Sequence, residues 1–137
     1  MRWALIDSNV YIDHWERGLH ASLLDRVRQA FIVRHSSVVL SELRRGARTF
    51  PARRRVEDLR RIAVEVWAPP DEDWWEAGRL VQSIGDANGW ETAKRREFQN
   101  DALIALTTRR HGATLVTENV ADFRLLLQKI RFGALFP

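Results

Sequence analysis

Short apolar runs that alternate with longer segments of helical period restrict this chain to few folds. Trp3–Ile6, Phe31–Val33, Val64–Trp67, Ala113–Thr117 and Ile130–Phe136 read as strands. Between them, Tyr11–Arg28 carries helical patterning broken near Gly18, and Ser37–Arg48 places Val39, Leu43 and Ala47 on one helix face. A basic helix follows Pro51 over Arg53–Arg61, and Asp71–Ile84 reads as a helix whose acidic first turn complements its dipole. Gln99–His111 is a helix stopped by a left-handed cap at Gly112, and Asp122–Lys129 is a short one. Gly85–Arg96, with Gly85, Asn88 and Gly89, is expected to be irregular. Strands separated by helices in this order imply right-handed crossovers, so the expected fold is α/β, with a mostly parallel sheet of about five strands and helices on both faces.

A chain of 137 residues, 45% hydrophobic, fits a single domain over 1–137 with one core and no need of a disulfide or structural metal. The lack of cysteine excludes zinc ribbons, thiol nucleophiles and disulfide scaffolds. His14, His20, His35 and His111 are scattered singly, which argues against a His-rich zinc site. No apolar run approaches the roughly 18 residues of a membrane span, and Met1–Ile6 reaches Asp7 too soon for a signal peptide. A soluble, cytoplasmic protein with no membrane association is expected. The net charge is only +4, but 20 of the 22 basic residues are arginine and eight of them fall between Arg44 and Arg61. That stretch is either a solvated helix face or a surface for an anionic partner.

In an open parallel sheet, ligands gather at the carboxyl ends of the strands. Asp7 follows the first strand, Asn119 and Asp122 follow the fourth, and Glu42 lies about one turn into the helix after the second. Asp101 is expected in the first turn of the helix before the fourth strand. Each has an ordinary explanation alone: Asp7 and Asn9 as helix caps, Asp101 and Asp122 as favourable charges at helix N-termini. Together they need another, because converging carboxylates repel one another unless a cation neutralises them. An all-oxygen set selects a hard ion, Mg²⁺ or Mn²⁺. Such an ion can activate water for in-line attack on a phosphodiester.

At this point three segments carry a family resemblance. They are Ala4-Leu5-Ile6-Asp7-Ser8-Asn9-Val10-Tyr11-Ile12-Asp13, Val39-Leu40-Ser41-Glu42-Leu43-Arg44-Arg45-Gly46, and Asn100-Asp101-Ala102-Leu103-Ile104-Ala105 with the following run from Gly112 to Phe123. In order and spacing they resemble a PIN domain, specifically a VapC-type toxin ribonuclease. The resemblance implies a PIN-like three-layer α/β/α fold and a Mg²⁺-dependent endoribonuclease, with Mn²⁺ able to substitute. Asp7, Glu42 and Asp101 would hold the metal, and Asn119 or Asp122 would complete the site, directly or through a metal-bound water. Ser8 and Thr117 would be accessory hydroxyls, and Asn9 would orient Asp7. It further implies cleavage of cellular RNA, a cognate VapB-type antitoxin and a homodimer. The arginine stretch would serve the RNA backbone or the antitoxin, and Trp15, Trp74, Trp75 and Trp90 are either interface residues or core.

Other acid-cluster folds fit less well. A receiver domain requires a lysine after its last strand and an acid pair after the first, whereas the two lysines here are Lys94 and Lys129. A haloacid-dehalogenase-type phosphatase requires Asp-x-Asp where this chain has Asp7-Ser8-Asn9. A non-catalytic PIN-like binding module is the remaining alternative, favoured by Asn119 standing where an acid is common.

Overall fold

The structure is a computed structural model that describes residues 2–137. Met1, the first residue of the expected domain and of the segment weighed as a signal peptide, lies outside the described residues. The chain runs β1 (Trp3–Ile6), α1 (Ser8–Arg17), α2 (Ala21–Ala30), β2 (Ile32–Ser36), α3 (Ser37–Gly46), α4 (Phe50–Ile62), β3 (Val66–Trp67), α5 (Asp71–Asn88), α6 (Thr92–Arg110), β4 (Thr114–Val116), α7 (Val120–Leu127) and β5 (Gly133–Leu135). The five strands form one sheet in the order β3-β2-β1-β4-β5, and every pairing is parallel. The expected α/β class and α/β/α layering are therefore what the chain adopts.

The order sets where the site can be. From β1 the chain winds outward through β2 to β3, then returns across the sheet to β4 and winds the other way to β5. Right-handed crossovers place the helices of the two halves on opposite faces. β1 lies in the centre, with Ala4 and Leu5 fully buried between Val33 and Arg34 on one side and Thr114 and Leu115 on the other. The winding reverses between β1 and β4, and a crevice opens beyond their carboxyl ends at such a reversal.

Local chemistry fixes the elements around that crevice. β2 passes into α3 without a loop because Ser36 ends the strand and caps the helix, its Oγ accepting from the backbone N–H groups of Val38 (3.1 Å) and Val39 (3.4 Å). Gly18, Gly89 and Gly112 adopt positive φ, and Gly112 does so directly after α6, as the sequence predicts. A pair between the exposed Arg110 guanidinium and the buried Asp73 carboxylate (2.8 and 3.0 Å) ties the end of α6 to the start of α5.

One expectation needs correcting. Gly85–Arg96 is not irregular: α5 continues to Asn88 and α6 already begins at Thr92, leaving only three residues between them. The bare Cα of Gly85 lets the Arg95 guanidinium lie against the helix, where a Cβ would stand 2.9 Å from Arg95 Cζ. Arg95 in turn donates to the Trp90 carbonyl and to Asp86, closing the short turn. Asp101 is accordingly not in a first turn but at the tenth position of α6.

Candidate metal and nucleic-acid site

Asp7 is the innermost acid. It follows β1, its N–H donates to the Val116 carbonyl (2.9 Å), and its side chain caps α1 by accepting from the Ser8 N–H (2.8 Å). The ordinary reading of Asp7 as a cap thus holds, but it uses one carboxylate oxygen only. The other accepts from Thr117 Oγ1 (2.7 Å) and Asn9 Nδ2 (3.2 Å). Asp7 is 3% exposed, and burial raises its pKa although all these donors pull it down.

Around Asp7 the structure gathers every other acid singled out in the sequence. Glu42, the sixth residue of α3, accepts weak bonds from Ser8 Oγ and Asn100 Nδ2, both at 3.4 Å. Burial and the nearby Asp7 charge raise its pKa. Asp101 projects from α6 into the same space; burial first, then the charges of Asp7, Asp122 and Glu42, push its carboxyl up to about 9. Three carboxyls from three separate elements are raised, by burial first and, for Glu42 and Asp101, by the neighbouring acids as well.

Asn119 and Asp122 stand on the β4 side. Asn119 caps α7, its Oδ1 accepting from the Asp122 N–H (3.4 Å), while its Nδ2 bridges Asp101 (3.3 Å) and Asp122 (3.2 Å). In this arrangement Asn119 offers the acids a donor, and Asp122 supplies the carboxylate on this side. Burial would raise Asp122, but hydrogen bonds from Lys94 and Asn119 outweigh it and hold the carboxyl below its ordinary value. Thr117, fully buried, links the halves: it donates to Asp7 and accepts from the Asn119 N–H at 3.0 Å. Asn9 adds a second link, its Oδ1 accepting from the Glu118 N–H at 3.2 Å.

Residues that the sequence pattern did not single out also border the site. Lys94, near the start of α6, places its ammonium 2.9 and 3.0 Å from the two Asp122 oxygens. It was hidden because Gly85–Arg96 reads as irregular; once α6 starts at Thr92, Lys94 and Asp101 are seven residues apart and share a face. On the rim, Asp13, His20 and Glu118 bring one ligating atom each within 4.8 Å of one another. His20 pairs directly with Glu118, and it is the one non-glycine with positive φ among the described residues. Nothing in the sequence brings His20 to a partner 98 residues away.

Between α3 and α4 lies a cleft of about 780 Å³ lined by Ser41, Arg44, Arg53, Glu57, Arg60 and Arg61, together with the buried Leu40 and Val56. α3 carries both features: Ser37, Ser41 and Arg44 line the cleft, and Glu42 belongs to the acid cluster. Of the four tryptophans weighed as interface residues, Trp74 (49% exposed) and Trp75 (84%) are on the surface. Trp15 and Trp90 are half-buried against the core. Among the described residues no helix is long and apolar enough to cross a membrane.

An all-oxygen set of four acids, of which only Asp122 has a cationic partner among the described residues, fits a hard divalent cation and offers no soft ligand. Comparison with known structures agrees in fold. A chain of the Rickettsia felis VapBC2 complex with a promoter DNA fragment superposes with a TM-score of 0.71 at 18% identity, covering 98% of both chains. VapBC-1 from nontypeable Haemophilus influenzae also gives 0.71 at 18%, covering 98% of this chain and 97% of that one. DNA-bound VapBC from Salmonella typhimurium gives 0.65 at 18%, covering 99% and 98%. No curated protein matches the sequence. The PIN domain model matches residues 4–125, a span that contains every acid of the site, and the chain belongs to the PIN domain family.

Proposed function

We propose that this protein is a metal-dependent endoribonuclease of the VapC toxin type. The observation that carries the reading is the convergence of Asp7, Glu42, Asp101 and Asp122 at the β1–β4 reversal, with Asp101 raised to about 9 by burial and by the other three. Asp7, Glu42 and Asp101 would hold Mg²⁺ or Mn²⁺, with Asp122 and Asn119 completing the shell. The ion supplies an activated water and charge neutralisation at the phosphate. Thr117 and Asn9 fix the carboxylate plane of Asp7 through their hydrogen bonds, and Ser8 with Asn100 does the same for Glu42.

The substrate would be RNA, its backbone led to the acids along the arginine-lined cleft. Arg44, Arg53, Arg60 and Arg61 are exposed there, and guanidinium groups bind phosphates without reading sequence. The relatives in fold were solved as toxin–antitoxin complexes, which supports a VapB-type antitoxin as protein partner. We further propose a homodimer, for which Trp74 and Trp75 are the exposed aromatic anchors, in the cytoplasm.

The test is cleavage of a mixed pool of cellular RNA by the purified protein with Mg²⁺, Mn²⁺ or EDTA, beside Asp101→Ala. Discrete products that need the metal and vanish in the variant are expected. Metal binding without cleavage of any RNA offered would favour a PIN-like binding module instead.

A further inference from the structure

Four carboxylates converge at the site, yet among the described residues only one cationic side chain touches any of them. Lys94 bonds both oxygens of Asp122, at 2.9 and 3.0 Å. Its surroundings hold it there. The ammonium lies 5.0 Å from the centroid of Trp90 and 6.0 Å from that of Phe98, and ring faces attract cations. Those rings are themselves locked edge-to-face at 4.8 Å, and Phe98 is fully buried. The base of the side chain is fixed by α6, the same helix that carries Asp101 two turns on. Lys94 is thus a preplaced charge, built from α6 and the short turn before it.

A second divalent ion in such a site would sit about 4 Å from the first and would need carboxylate oxygens of its own. In the reading above Asp7, Glu42 and Asp101 hold the first ion, so Asp122 is the carboxylate a second one would have to recruit. Both oxygens of Asp122 already face the lysine. An ammonium carries three N–H donors, and two of them are used on Asp122, so one remains without an acceptor among the described residues. That N–H can meet a phosphate oxygen of a bound strand.

Resting on the nuclease reading above, we propose that Lys94 takes the place of a second metal ion: the site works with a single divalent cation, and the lysine is the fixed second positive charge that holds Asp122 and receives the phosphate. Removing the lysine should open Asp122 to a second ion. The experiment counts Mn²⁺ bound per chain at equilibrium for the intact wild-type protein, Lys94→Met, Lys94→Gln and Lys94→Arg. Electron paramagnetic resonance then reads whether two bound ions are spin-coupled, as a carboxylate-bridged pair is. The rim group Asp13–His20–Glu118 is the same in all four proteins, so the difference in count is what matters.

Met and Gln at position 94 are expected to bind one more Mn²⁺ than wild type and to show a coupled spectrum absent from wild type, while Arg keeps the wild-type count. An unchanged count, or a coupled pair already present in wild type, overturns the inference and leaves the nuclease reading standing. If none of the four proteins binds Mn²⁺, both fall. Either uncharged variant suffices, and circular dichroism verifies that it folds; Lys94 is half-exposed, so its loss leaves no cavity.

Discussion

Asp101→Asn should make the metal-free protein markedly more stable, although it removes a residue proposed above to hold the metal. In the unfolded chain this carboxyl has its ordinary value of 3.8 and is ionised at pH 7; in the fold it is raised to about 9 and stays protonated. Holding that proton at pH 7 costs about 4 kcal/mol. An asparagine is nearly the shape of the protonated acid. It can still accept from Asn119 and donate to Asp122, so most of the 4 kcal/mol is recovered. With an unfolding entropy of about 2.1 cal/mol/K per residue, the melting temperature should rise by about 10–15 °C.

The sign with pH follows from the direction of the shift. A carboxyl raised in the fold leaves stability intact below its unfolded value, and that stability is lost as pH rises through the folded value. The wild type should therefore weaken from about pH 4 to pH 9, and Asp7 and Glu42, also raised by burial, act in the same sense. Asp122, held low by Lys94 and Asn119 against its burial, acts oppositely: its contribution is present above its ordinary value and is lost only as pH falls through the lowered one. Thermal unfolding in EDTA at pH 5 and pH 7 is the assay. The gap between variant and wild type should shrink to under about 2 kcal/mol at pH 5. Saturating Mn²⁺ should also narrow it, since about 2.7 kcal/mol accrues to a protein at one hundred times its dissociation constant. A pH 7 shift below about 3 °C would mean that burial and the neighbouring acids do not raise Asp101 as argued.

Other consequences are as direct. Thr117→Val leaves Asp7 and the Asn119 N–H each short of a partner in a fully buried place, and should cost about 1–3 kcal/mol by urea denaturation, with Thr117→Ser restoring most of it. The same valine variant should bind Mn²⁺ about 10–100-fold more weakly by calorimetry, because a supporting hydrogen bond to a ligand is lost. Phe98→Ala empties a fully buried site beneath Lys94 and should cost about 3–5 kcal/mol, read from the same denaturation curves. Arg44→Gln and Arg60→Gln should each weaken RNA binding at every sequence and lower the salt slope by about one, measured by fluorescence anisotropy of a labelled, non-cleavable strand; an unchanged slope would remove that arginine from the phosphate path.

The acids were legible because each sits where strand and helix periods force it. Asp7 ends an apolar run, Glu42 stands on a helix capped by Ser36, and Asp122 follows a strand and an Asn cap. The part that was not legible lies between α5 and α6. Two glycines and an asparagine signal a break, and a break exists at Gly89, which has left-handed φ. At Gly85 the same residue type serves close packing against Arg95 instead, and local sequence does not distinguish the two uses. Misplacing the start of α6 hid Lys94, because a residue in a loop has no defined face. The pairing of His20 with Glu118 was invisible for a different reason: it depends on how the α1–α2 turn meets the β4–α7 turn.

The partnership between Thr117 and Asp7 spans 110 residues of chain. A ribosome making this protein releases Asp7, then Glu42, long before Asp101, Thr117 and Asp122 exist, at about 5–20 residues per second. For those seconds the nascent chain carries half of the acid cluster and no partner for β1 on its β4 side. On the ribonuclease reading proposed above, a chain assembled in this way could not cut the message from which it is being read until Thr117 and Asp122 had been made. The strand order thus acts as a timer, and a circular permutant that begins at α6 and ends after α5 would present Asp101, Asp122 and Asp7 together much earlier in synthesis.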